Sequence, residues 1–189
     1  MHSNIKQYTK KLSEAMAFQA MELVPNLASS MKIAWETNAN IYIFGNGGSA
    51  GNAIHLANDF IYGAGTRNEK GINIESLSSN AAVITCLAND IGYEKIYSEQ
   101  LRVKGKKDDI LIALSGSGNS KNIINAIEEG NKIGMKTFAI LGFDGGECKA
   151  IANYPIHFEV HDMQIAEDLQ LIVGHMCMQW LYSQDVIIK

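Results

Sequence analysis

The chain has 189 residues, a net charge of −4 and an apolar share of 47%. That is the size of one domain, or of one domain with an appended arm, and it is enough chain to bury a core. The mildly acidic balance excludes the strongly basic surface of a nucleic-acid or membrane binder, and no apolar run reaches transmembrane length.

Residues 4–38 read as two helices broken near Pro25. Leu12, Met16, Ala20 and Leu23 form one apolar stripe, and Leu27, Met31 and Ala34 form another. A helical hairpin ahead of an α/β core packs on a partner subunit or on its own core. Residues 1–38 are therefore expected to be an arm with a role in oligomerisation, and residues 39–189 the main domain.

The stretch NIYIFGNGGSAGNAIHLAND, residues 40–59, is the organising unit of that domain. A short apolar run of strand composition turns through Gly45, Asn46, Gly47, Gly48 and Ser49. Apolar residues at helical spacing come next, so it reads strand, glycine loop, helix. Glycines let backbone approach a ligand, and the new helix offers unpaired N–H groups and a partial positive charge to an anion. His55 and Asp59, four residues apart, share a face of that helix. The loop lacks both the GxGxxG dinucleotide pattern and the lysine of a P-loop.

Residues 62–70 read as a loop, 72–76 as a short strand, 80–87 as a helix, 88–93 as a polar turn and 95–104 as a helix stopped by Gly105. Residues 109–114, DILIAL, form an almost wholly apolar strand. It runs into Ser115, Gly116, Ser117, Gly118, Asn119 and Ser120, then a helix over 121–133. Strands are expected at 136–141 and 154–160, a short helix at 148–152, and a long apolar helix over 166–181. The alternation of strand and helix predicts a three-layer α/β domain, a parallel sheet covered on both sides. Ligands of such sheets collect beyond the carboxyl ends of the strands, where both glycine loops depart.

The second loop carries three serines and no lysine or arginine. It suits a compact phosphomonoester on a neutral sugar better than a triphosphate with its Mg²⁺. His55 and Asp59, with Glu167 and His175 of the last helix, are two imidazoles and two carboxylates from two helices. They could hold a divalent ion, Zn²⁺ first, or shuttle a proton between sugar carbons without one. His157 and His161 are also available. Cys86, Cys148 and Cys177 sit at no metal-finger spacing and read as buried thiols of a reducing compartment. The opening MHSNIKQYTKKL lacks the apolar centre of a secretion signal, so a soluble cytoplasmic protein is expected.

GNGGSAGNAIHLANDF, LANDIGYE and LIALSGSGNSKNIINAI together resemble the sugar isomerase (SIS) domain, and more narrowly the phosphoheptose isomerases. The resemblance implies a five-stranded parallel sheet and a homotetramer with sites at subunit interfaces. It implies sugar phosphate contacts from Asn46, Gly47, Gly48 and the adjoining Ser49, from Asn89 and Asp90, and from Ser115, Gly116, Ser117 and Ser120. It implies zinc ligands His55, Asp59, Glu167 and His175, Glu167 also facing substrate, with Asp59 and His175 as base and acid in aldose–ketose isomerisation. Two positions depart from the family pattern: Asp59 stands where Glu is usual and Glu167 where Gln is usual. Either the site is re-tuned for a related sugar phosphate, or the base has moved to Glu167, or activity is lost. The alternatives are an isomerase of another sugar phosphate and a non-catalytic SIS protein that binds a sugar phosphate or a partner.

Overall fold

The two most apolar runs of the chain become neighbouring central strands, as strands buried on both faces require. The computed structural model describes residues 1–16, 19–67 and 70–184. In it β1 (Ile41–Gly45) lies between β2 (Ile74–Ser76) and β3 (Ile110–Ser115). β4 (Lys136–Leu141) and β5 (Tyr154–His157) continue the sheet in the order β2-β1-β3-β4-β5, with every pairing parallel. β1 and β3 are buried from end to end. The expected five-stranded parallel sheet is the one observed. Its two edges are short: β2 has three residues and β5 four, with Pro155 in β5.

Alternation along the strands divides the core in two. Ile41, Ile43, Ile110, Ile112 and Leu114 face a cluster shared with α2 (Val24–Thr37), α3 (Gly48–Asn58) and α8 (Met163–Tyr182). Tyr42, Phe44, Leu111 and Ala113 face the opposite cluster, built on α5 (Ser98–Lys104) and α6 (Lys121–Ile133). Helices therefore cover both faces, and the architecture is the predicted three-layer α/β sandwich.

Of the N-terminal helices, α2 buries Val24, Leu27, Ala28, Met31, Ala34 and Trp35 in the chain's own core. α1 (His2–Met16) buries only Ala15. It is tied to α8 by polar contacts: Tyr8 donates to Asp168 at 2.6 Å, and Lys11 pairs with Asp162 at 2.9 Å. Lys11 holds the Asp162 carboxyl below the usual carboxylate range. The side chain of Ala20, part of the expected stripe, and residues 185–189 lie outside the described ones.

Several boundaries differ from expectation, each for a local reason. Pro25 sits in the first turn of α2, where its missing N–H costs nothing, and the break precedes it at a 3-10 turn, Gln19–Leu23. Much of the expected loop at 62–70 continues from α3 as a π turn, Asp59–Gly63, and a 3-10 turn, Ala64–Arg67, because Phe60 and Ala64 are drawn into the core. α4 (Ala81–Asp90) is capped by Asn80 and runs into the first half of the predicted polar turn, ending before Gly92 at φ 104°. The helix expected at 95–104 is a 3-10 turn, Tyr93–Lys95, followed by α5. α7 (Gly146–Ile151) begins two residues early. β5 ends at His157, three residues short of the expected strand. α8 starts at Met163 because Asp162 caps it.

The cysteine expectation needs one correction. Cys148 and Cys177 are buried, but Cys86 is exposed on α4, where no residue is buried. Burial pushes the Cys148 and Cys177 thiols up to about 12. At pH 8 both are therefore expected to resist a thiol reagent in the native protein and to react once denaturant unfolds the chain. A timed thiol titration with and without denaturant checks this.

Candidate active site

The two glycine loops leave neighbouring strands, β1 and β3, at their carboxyl ends and open α3 and α6. The first turn is tight. A Cβ on Gly45 would stand 2.8 Å from the Leu114 carbonyl oxygen, and Gly47 has φ +57°, so both positions favour glycine. A reciprocal amide pair fastens this loop to α6. Asn46 Nδ2 donates to Asn122 Oδ1 at 2.9 Å, and Asn122 Nδ2 donates back to Asn46 Oδ1 at 2.8 Å. Tyr93 adds its hydroxyl to Asn46 Oδ1 at 3.1 Å, and Tyr97 donates to the Gly45 carbonyl.

Between the loops lies a pocket of about 280 Å³. Asn46, Gly47, Gly48 and Ser49 form one wall, Ser115, Gly116, Ser117 and Ser120 the other, with Met163 and Glu167 from α8. Among the described residues no lysine or arginine lines it. Ser115 and Ser117 accept hydrogen bonds from the Gly118 and Asn119 N–H groups, at 3.0 and 3.3 Å, so their own hydroxyl hydrogens remain to donate. Ser120 occupies the N-cap position of α6 yet makes no side-chain capping bond. Ser49 is different: its buried hydroxyl accepts from Gln170 at 3.0 Å. Asn89 and Asp90 do not line this pocket within one chain. They end α4, exposed, with Asn89 donating to Asp90 at 2.8 Å.

α3 and α8 run side by side in the same direction, as paired contacts along them show. The Glu167 carboxylate covers Gly48 so closely that a Cβ there would collide with its carboxyl atoms. Gln170 Nε2 donates to Ser49, and Asn52 Nδ2 donates to both Gln170 Oε1 and the Glu167 carbonyl, each at 3.0 Å. Further along, Gly174 lets Leu56 approach; a Cβ there would run into the Leu56 methyls. Next comes a cluster at the far end. His55 Nε2 lies 3.2 Å from His175 Nε2, and Asp59 Oδ2 lies 3.4 and 3.5 Å from those two nitrogens.

Three of the four expected ligands thus converge, and Glu167 does not. Eight residues of helix separate it from His175, about 12 Å at 1.5 Å per residue. His157 and His161 are elsewhere, bonded to the Phe143 carbonyl and to Asp144. The triad passes a simple test of fit. Ligand atoms about 2.0–2.1 Å from a tetrahedral zinc stand roughly 3.3–3.4 Å apart, and the three observed edges bracket that value.

A parallel sheet with two glycine turns at its carboxyl edge, each opening a helix, here belongs to an SIS-domain protein. The family model of the SIS domain matches residues 5–142. The chain is 33% identical to the phosphoheptose isomerase of Helicobacter pylori strain P12, over 90% of this chain and 86% of that protein. It is 38% identical to the phosphoheptose isomerase of Leptospira biflexa, over 82% and 81%. The chain belongs to the phosphoheptose isomerase family. The solved phosphoheptose isomerases of Francisella tularensis and Neisseria gonorrhoeae share its fold, each with a TM-score of 0.88 at 23% identity. They cover 96% and 97% of this chain, and 98% and 97% of their own.

Gln170, Asn52 and Asn122 are not marked by any local pattern in the sequence. Their partners lie 76 to 121 residues away, beyond the reach of spacing arguments. Gly174 leaves the room that the Leu56 side chain of α3 occupies against α8. Gly174→Val is expected to cost about 1–3 kcal/mol by overpacking against Leu56. Thermal denaturation of the two proteins measures the loss.

Proposed function

We propose that the protein is an aldose–ketose isomerase that converts sedoheptulose 7-phosphate to D-glycero-D-manno-heptose 7-phosphate. One observation carries this reading: a pocket of about 280 Å³ at two helix N-termini, lined by serines and, among the described residues, no lysine or arginine, shares a helix with a His55–Asp59–His175 cluster. From Gly48 to His55 the helix rises about 10 Å. An open heptose chain with its terminal phosphate spans roughly the same length at about 1.5 Å per bond along a zigzag. A triose phosphate is too short to reach both ends.

In this reading Ser115, Ser117, Ser120 and the backbone of the two turns hold the phosphate. Asn46, Gly47, Gly48 and Ser49 form the adjoining wall. The Asp59 carboxylate takes the proton from the carbon beside the carbonyl, and that C–H electron pair becomes the double bond of an enediol. Asp59 returns the proton to the neighbouring carbon, and His175 moves the proton between the two oxygens. His55, Asp59 and His175 would hold Zn²⁺. When bound, that ion would supply Lewis-acid stabilisation of the developing oxyanion.

A homotetramer with sites shared between subunits fits the same reading. α4 is mostly apolar, yet none of its residues is buried in the single chain. Asn89 and Asp90, at its end, are exposed and could serve a neighbour's pocket. α1, with one buried residue, supports an assembly role for the 1–38 arm. Among the described residues no helix is long and apolar enough to cross a membrane, which agrees with a cytoplasmic enzyme.

Asp59→Asn and His175→Ala are each expected to lower kcat by at least about a hundredfold, the scale of a lost acid–base group. A coupled assay of heptose phosphate formation reads this out, alongside metal analysis of the purified protein. Full activity in both variants would remove the mechanism.

A further inference from the structure

A third loop leaves the same carboxyl edge of the sheet, after β4. Residues 142–146 read GFDGG, and three of the five have positive φ: Phe143 at 45°, Gly145 at 80° and Gly146 at 53°. Glycine takes that conformation freely, but a phenylalanine in it is strained. Three contacts hold Phe143 there. Its N–H donates to the Val160 carbonyl at 3.0 Å, and its carbonyl accepts from His157 Nε2 at 2.8 Å. Its ring stands T-shaped to His161, centroids 5.6 Å apart, and His161 is itself paired with Asp144 at 3.3 Å.

The strained loop lies directly on the serine loop. Gly142 N–H donates to the Gly116 carbonyl and Cys148 N–H to the Gly118 carbonyl, each at 3.0 Å; Glu147 N–H donates to Asn119 Oδ1 at 3.1 Å. A Cβ on Gly118 would collide with the Gly145 carbonyl oxygen, so backbone meets backbone. The C=O and N–H of a trans peptide point in opposite directions. Drawing the Gly116 and Gly118 carbonyls toward the third loop therefore turns the Ser117 and Asn119 N–H groups away from it. Asn119 N–H reaches the Ser117 hydroxyl at 3.3 Å. Ser117 lines the pocket, and its own N–H has no partner among the described residues.

We propose that His157 is a positioning residue for the serine loop: by holding the Phe143 carbonyl it keeps the third loop in the conformation that aims the Ser117 and Asn119 N–H groups at a bound anion. It touches no ligand and acts through backbone alone. This rests on reading the pocket as a phosphate site. A glutamine amide nitrogen stands as many bonds from the backbone as His Nε2, so glutamine can replace the donor. Asparagine is one bond shorter, about 1.5 Å, and falls short of the carbonyl.

The test measures inorganic phosphate binding by calorimetry to the purified protein, to His157→Asn and to His157→Gln, with steady-state kinetics on sedoheptulose 7-phosphate. His157→Asn is expected to weaken phosphate binding roughly tenfold, about the worth of one hydrogen bond to a charged group. KM should rise by a similar factor with kcat within about twofold, because Asp59 and His175 stand at the other end of α3. His157→Gln should bind within about twofold of the parent, a rescue that loss of packing alone does not produce. His157→Ala takes over from His157→Asn if that variant does not melt cooperatively. Unchanged affinity in His157→Asn, equal losses in the Asn and Gln variants, or a fall in kcat at unchanged KM each overturn the proposal. If the parent protein binds no phosphate, the pocket reading falls with it. Normal binding by the parent with no change in the variants sinks only the role given to His157.

Discussion

The functional arrangement depends on the close parallel packing of α3 on α8. The right-handed strand–helix–strand path of a parallel sheet brings the two helices to the same face. Gly174 then lets them touch, and Gln170 bonds to Ser49 and Asn52 across the seam. With directions aligned, position along one helix maps onto position along the other. Glu167 meets the start of α3, while His175 meets its end beside His55 and Asp59. An antiparallel pairing of the same sequences would put His175 at the glycine turn and leave Asp59 beside a carboxylate.

That alignment also separates two tasks. At one end, hydroxyls, backbone N–H groups and the Glu167 carboxylate surround a small pocket. At the other, two imidazoles and a carboxylate come within 3.5 Å of one another. Asp59 is shorter than the glutamate usual at this position, yet it reaches both histidines. It does so from the point where α3 gives way to a π turn, so the local backbone as well as the side-chain length determines where the carboxylate arrives.

The layered architecture was legible because the central strands β1 and β3 are almost wholly apolar and leave little room for another assignment. β4 and α6 fall on the expected residues. Helix ends were harder, because they turned on capping by Asn80 and Asp162 and on the burial of Phe60 and Ala64, which depend on contacts distant in the chain. Pairing His55 with Asp59 was readable from a four-residue interval, and the addition of His175 agrees with the geometry. Glu167, the fourth expected ligand, stands about 12 Å along α8 from His175 within one chain. The amide clamp of Asn46 with Asn122 left no trace in spacing at all, since its members belong to different strand–helix units.

The margins of the sheet carry a consequence for how copies of this chain can meet. β2 is only three residues long, and its Glu75 is paired with Lys104 at 2.6 Å; β5 contains a proline that offers no N–H. Both margins are poor templates for a strand from another molecule, the route by which exposed sheets polymerise. Contact between copies is thereby steered to the helical layers that flank the sheet.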